Sequence, residues 1–238
     1  MEKTPREKIE RVPTGIPGFD DLVCGGFERN SVNILKGGPG TGKTTFALQY
    51  LFNGCVKYKE PSLFVSFEES KDSVYSTAEL FGWDLEKLEK SGYFTFLAYR
   101  PLEIMKMLTE GGGMLESSIE EIGARRVVID SLTSFSILFK SSYERDEQHL
   151  NLIQSLKSWN CTALVTEEKG VEVAMLEESR ASFLCDSLIH MYYIRKEAMK
   201  YRAIEVVKMR RTKHSEKISV LKIEEDGVAI HPEVSLFG

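Results

Sequence analysis

Gly37-Gly38-Pro39-Gly40-Thr41-Gly42-Lys43-Thr44 fills every required position of the phosphate-loop pattern G-x-x-x-x-G-K-[ST]. Glycines let consecutive backbone N–H groups turn inward as an anion-binding nest, and a following helix adds the partial positive charge of its N-terminus. In such a loop Lys43 is the mobile cation for the β- and γ-phosphates of ATP, and the Thr44 hydroxyl is an oxygen ligand for Mg²⁺. Gly38, Pro39, Gly40, Thr41, Gly42 and Thr45 are the remaining candidates for nucleotide contact. Asp130 ends the apolar run Arg126-Val127-Val128-Ile129, the way a buried parallel strand delivers one acid to a ligand edge. Beside a full phosphate loop it reads as the Walker B acid that holds the metal with Thr44. Glu68-Glu69 follow a second apolar run, Ser62 to Phe67. From spacing alone, the commoner use of adjacent acids there is a solvated helix start, with Ser70 as cap and Asp72 in the first turn.

These residues need strands ending at one edge and helices starting from it. Ser31 to Lys36 is a β-rich run before the loop, and Thr45 to Tyr58 has apolar residues at helical spacing. Further strands are expected at 62–67, 93–98, 126–130, 161–166 and 185–193, with helices over 71–81, 84–90, 102–108, 114–122 and 143–159. Residues 131–142 read as loop and 169–182 as a mobile excursion. Beyond 193 the runs 201–208, 217–223 and 228–230 are strands joined too closely for crossover helices, so they pair antiparallel. The expected class is α/β: a mostly parallel sheet flanked by helices, with a C-terminal antiparallel extension. One domain spans 1–238, divided into a lead-in over 1–30, a core over 31–193 and the extension over 194–238.

At 238 residues, 42% hydrophobic and 28% charged, the chain can bury a core without disulfides. Its four cysteines are scattered and read as small buried apolar residues, and its histidines have no partner at metal-ligand spacing. No run is long and apolar enough for a membrane span and the first ten residues are too charged for a secretory signal, so a cytoplasmic protein is expected. A net charge of −5 argues against a protein that coats nucleic acid. Lys208-Met209-Arg210-Arg211-Thr212-Lys213-His214 is a dense basic turn, and such turns are usually solvated.

With these motifs laid out in order, the chain resembles the KaiC family of RecA-like ATPases over nearly its whole length. The likeness rests on Thr14-Gly15-Ile16-Pro17-Gly18-Phe19-Asp20 with Gly25-Gly26-Phe27, the phosphate loop, Phe67-Glu68-Glu69, Phe81-Gly82-Trp83-Asp84, Val128-Ile129-Asp130-Ser131 and Lys208-Met209-Arg210. The resemblance implies a RecA-like P-loop NTPase core that joins head to tail into a ring, commonly a hexamer, with ATP at each subunit interface. It implies that Glu68 activates the attacking water with Glu69 in support. It also implies that Lys208 and Arg210 reach the neighbour's nucleotide, with Thr212 and His214 among the nearby contacts. Arg211 stands where the family usually has glycine after K-M-R, and the chain has one such domain where the clock proteins have two.

The leading expectation is a slow, Mg²⁺-dependent, oligomeric ATPase whose nucleotide state controls conformation or the binding of protein partners. One alternative is a DNA-binding recombinase paralogue. Its second channel loop would carry Glu167, Glu168, Glu172, Glu177 and Glu178 against Lys169 and Arg180, a poor lining for phosphates. Another is an ATP-binding regulatory scaffold with little turnover.

Overall fold

The computed structural model describes residues 9–100, 102–103, 106, 113–168, 180–196 and 199–234. Among the described residues, nine strands form one mostly parallel sheet. Its centre is β3 (Val32–Gly37), paired in parallel with β7 (Thr162–Glu168) on one side and β8 (Ser187–Lys196) on the other. Parallel β6 (Arg126–Asp130), β4 (Ser62–Ser66) and β5 (Phe94–Ala98) extend it one way. Antiparallel β9 (Met199–Met209), β10 (Ser219–Glu224) and β11 (Gly227–His231) extend it the other, as their short connections require.

Register puts the chemistry on one edge. Gly37 lies opposite Glu168 and Met191, and Ser66 lies opposite Asp130, so the loops after β3, β7, β6 and β4 leave the sheet side by side. Ligands of open parallel sheets bind beyond this carboxyl edge.

Alternation along β3 splits the core in two. Leu35 faces the layer of α2 (Lys43–Tyr58), α3 (Lys71–Glu79) and α4 (Leu85–Lys90), packed with Phe46, Phe64, Val128 and Leu164. Val32 and Ile34 face the opposite layer, packed with Val65, Ile129, Leu152, Leu156 and Trp159. That layer holds α5 (Gly113–Ile122), α6 (Leu132–Ser136) and α7 (Ser142–Ser158). Each fully buried large apolar side chain contributes roughly 1.5–3 kcal/mol, so both layers fix the register of the central strands. Under α2 lies the lead-in, β1 (Arg11–Val12), α1 (Phe19–Leu22) and β2 (Phe27–Glu28). Asp20 ties it together by accepting hydrogen bonds from Thr14 N at 2.9 Å, Thr14 Oγ1 at 2.7 Å and Gly15 N at 2.9 Å. Gly18 has φ 74°, and a Cβ there would come within 2.1 Å of the Ile230 carbonyl oxygen, so the signature glycine is a packing requirement.

Several elements differ from the sequence reading. The helix after the phosphate loop starts at Lys43, not Thr45, because Gly42 caps it at φ 102° and Phe46 N donates to Gly42 O at 2.9 Å. Its first turn is polar and therefore invisible to apolar periodicity. Residues 131–142 are not all loop: Ser131 caps the short α6, whose Phe135 packs on Phe67. Cys55, Cys161 and Cys185 are buried as expected, but Cys24 is exposed. The excursion over 169–182 falls largely outside the described residues, which resume at α8 (Arg180–Leu184). Of the helix expected over 102–108, only 102, 103 and 106 are described. Among the described residues no helix is long and apolar enough to cross a membrane.

Candidate ATP site

Asp130 and Thr44 come from elements that share no local sequence, yet the Thr44 hydroxyl donates to Asp130 Oδ2 at 2.8 Å. Thr166, two residues before the end of β7, donates to the other oxygen, Oδ1. The strands β6 and β7 and the start of α2 thus converge on one carboxylate. Burial raises the pKa of Asp130 most, the nearby acids Glu69 and Glu68 add to the rise, and the two hydroxyls oppose it.

Around this pair is a cavity of about 410 Å³ lined by Pro39, Gly40, Gly42, Lys43, Thr44, Thr45, Glu68, Glu69, Asp130, Ser131, Glu168, Arg202 and Ile223. Lys43 Nζ donates to Gly38 O at 3.0 Å, and the Thr41 hydroxyl donates to the same carbonyl at 2.8 Å, so the loop is closed on itself. Burial lowers the Lys43 pKa, while Glu168, Asp130 and Glu68 pull it the other way. The oxygen pair Thr44 and Asp130 suits a hard cation such as Mg²⁺. The closed glycine loop at the start of a 16-residue helix suits the phosphates of a nucleotide.

The paired glutamates part company. Glu68 Oε1 accepts from Ser131 Oγ at 2.9 Å and from Ser134 Oγ. Glu69 Oε2 instead accepts from Ser73 Oγ at 2.7 Å, which turns that carboxylate toward the first turn of α3. Ser66 Oγ holds the bend between them, accepting from Glu68 N at 3.3 Å and Glu69 N at 2.9 Å. The sequence expectation of a capped helix start is also met, since Ser70 accepts from Ser73 N.

The basic turn lies elsewhere. Lys208 and Arg210 do not line the cavity of their own chain. Lys208 Nζ donates to Ser182 O at 2.8 Å and Phe183 O at 3.1 Å, and Arg210 donates to Phe183 O at 2.8 Å and Cys185 O at 3.3 Å. Both cations therefore cap the carboxyl end of α8, where a helix terminus favours positive charge. Arg211 adopts φ 53°, the left-handed conformation that glycine takes at least cost, and pairs with Glu28. The turn thus keeps a glycine-like path without a glycine. Thr212 accepts from Arg11 NH2 at 2.7 Å, and His214 Nδ1 lies 2.9 Å from Ser215 O.

Arg202 and Ile223 were not legible as site residues. They come from β9 and β10, where alternation gives the sheet face but not proximity to the loop. Arg202 Nε donates to Gly40 O at 3.0 Å, and its guanidinium lies 4.9 Å from the Tyr193 ring centre. The endings of β7 carried a signal, since Thr166 and Glu167 fall at the ligand edge, but Glu168 is the one of its two acids that lines the cavity.

A phosphate loop, a strand-end carboxylate bound to the loop threonine, and an antiparallel extension on a mostly parallel sheet define a RecA-like, ATP-binding P-loop protein. The sequence model of the KaiC ATPase family matches residues 12–235, and the chain belongs to that family. It is 32% identical to a UPF0273 protein of Methanocaldococcus jannaschii, over 94% of this chain and 98% of that one. It is 33% identical to the circadian clock oscillator protein KaiC of Parathermosynechococcus lividus, matching over 94% of its own length but only 43% of the clock protein. The crystal structure of a KaiC-like protein from Pyrococcus horikoshii superposes with a TM-score of 0.84 at 32% identity, covering 94% of this chain and all of that one.

Proposed function

We propose that the chain is a Mg²⁺-dependent ATPase that works as a head-to-tail ring, each nucleotide lying between a phosphate loop and the basic turn of the next copy. The observation that carries the reading is the Thr44–Asp130 bond within a cavity that also contains Lys43 and Glu68. Mg²⁺, when bound through Thr44 and Asp130, supplies positive charge at the β- and γ-phosphates. Lys43 turns from the Gly38 carbonyl to the phosphates, and the loop amides hold them. Glu68 accepts a hydrogen bond from water and places it in line with the γ-phosphate. Glu69, turned to Ser73, supports the bend that presents Glu68. Lys208 and Arg210 supply charge in trans, which accords with their absence from their own cavity. Thr212 and His214 flank that contact. Thr45 and the backbone of Gly38 to Gly42 complete the binding set.

Two measurements test this reading together. Sizing the protein with and without ATP and magnesium should show a larger species with nucleotide, and a monomer in both conditions refutes the trans role. Phosphate release should fall roughly 100- to 10,000-fold in Glu68→Gln, to a residual rate that radiolabelled ATP still reads, while ATP affinity stays, and undiminished turnover in that variant rejects Glu68 as the base.

A further inference from the structure

Glu68 is gripped from behind by a helix that the sequence reads as loop. Ser131 and Ser134 both donate to Oε1, and among the described residues none bonds Oε2. Ser131 lines the cavity, whereas Ser134 does not and is only 6% exposed. Ser131 has a second task, since its Oγ accepts from Ser134 N at 3.5 Å as the cap of α6.

The helix that carries Ser134 is itself pinned at both sides. Phe135 packs on Phe67, the residue before Glu68, with ring centroids 6.4 Å apart. Phe67 N donates to Asp130 O at 2.8 Å, so the glutamate segment and the start of α6 share one support. At the other end, Ser136 gives its hydroxyl hydrogen to Leu132 O at 2.8 Å. Its 2.9 Å contact with His149 Nε2 is therefore one in which the imidazole N–H donates. His149 is only 3% exposed, so a buried contact ties α6 to the long helix α7.

We propose that Ser134 is a positioning residue for ATP hydrolysis: its hydroxyl, with that of Ser131, commits Glu68 Oε1 and leaves Oε2 as the oxygen that orients water. The proposal rests on the reading of Glu68 as the base. A charge-assisted hydrogen bond restrains the carboxylate against swinging out of line. Without it the carboxylate keeps its charge and its place in the cavity but samples off-line rotamers, so turnover falls while nucleotide binding does not.

The test is a double-mutant cycle on full-length protein, with ATP affinity and radiolabelled phosphate release measured for each variant. Ser134→Ala should lower kcat by roughly 10- to 100-fold, the worth of a hydrogen bond to a charged group, with ATP affinity within about twofold. Ser134→Thr, which keeps a hydroxyl, should recover most of the rate. In a Glu68→Gln background, Ser134→Ala should cause no further loss, because its effect passes through Glu68. If alanine destabilises the fold, Ser134→Cys replaces the hydroxyl by a weak donor of similar size and should show the same pattern. Wild-type turnover in Ser134→Ala or Ser134→Cys beside a strongly impaired Glu68→Gln overturns the proposal alone, as does an equal fractional loss of the residual rate in both backgrounds. Wild-type turnover in Glu68→Gln overturns the base reading first, and the proposal with it.

Discussion

Replacing Asp130 by asparagine separates what the carboxylate does for ligand from what it costs the fold. Its burial raises the pKa above the ordinary carboxylate value, with Glu69 and Glu68 adding to the rise. A carboxyl whose folded pKa lies above its unfolded one contributes stability below the unfolded value and loses it as pH rises through the folded value. An ionised Asp130 is therefore a charge that the ligand-free fold carries at a cost. Asparagine removes the charge and keeps the shape, but it has one acceptor oxygen where the carboxylate uses two, for Thr44 and Thr166. One hydroxyl must then turn to accept from the amide N–H instead of donating, at about 1 kcal/mol. Desolvating an anion costs several kcal/mol, so relieving it outweighs the altered hydrogen bond, by about 0.5–2 kcal/mol net, the size of an ordinary stabilising substitution. For a chain of this size that raises Tm by roughly 1–8 °C. With Mg²⁺ and ATP the order reverses. Ligand at about 100 times its Kd adds about 2.7 kcal/mol to the wild type, or roughly 5–11 °C, and much less to Asp130→Asn because half of the proposed metal pair is gone. Thermal melts of both proteins, with and without Mg-ATP, read all four numbers. A variant that melts below the wild type without ligand, or that gains the full Mg-ATP shift, refutes the reasoning.

Mixing Arg210→Ala chains with Lys43→Ala chains, each inactive alone, should restore part of the phosphate release, since some interfaces then pair an intact loop with an intact basic turn; no recovery in any ratio counts against the trans site. Burial lowers the pKa of His149 to about 4. Its neutral form therefore contributes stability that is complete above about 6.5 and is lost as pH falls through about 4, at most about 3 kcal/mol. His149→Gln should flatten the fall of Tm over that window, and an unchanged profile refutes the assignment. Gly54→Ala would bring a Cβ within 2.5 Å of Arg126 Cδ. Arg126 is held by Glu60 at 2.7 Å and the Tyr50 carbonyl at 3.1 Å and has no room to retreat. Overpacking there should cost about 1–3 kcal/mol in a denaturant titration, against the small gain that alanine usually brings to a helix. A neutral result would mean that the guanidinium moves.

The phosphate loop, the Asp130 strand end and the antiparallel tail were legible because each is written in local code: glycine spacing, a continuous apolar run, and connections too short for a crossover. Local code also placed Glu68 and Glu69 at a strand end but could not divide them, since neighbours in sequence share the same pattern. Only the tertiary structure decided that Glu68 meets Ser131 and Ser134 while Glu69 turns to Ser73. The same holds for Arg202, brought to Gly40 from a strand more than a hundred residues away by sheet order alone. Ser134 sits in a five-residue helix too short to leave a periodic signal, and its partner is fixed by how α6 packs against Phe67 and His149. Sequence determined which chemistry the edge of this sheet can hold, because that depends on residue types near strand ends. Structure decided which of two like carboxylates Ser131 and Ser134 hold and which Ser73 holds, because that depends on hydrogen-bond partners that only folding brings within reach.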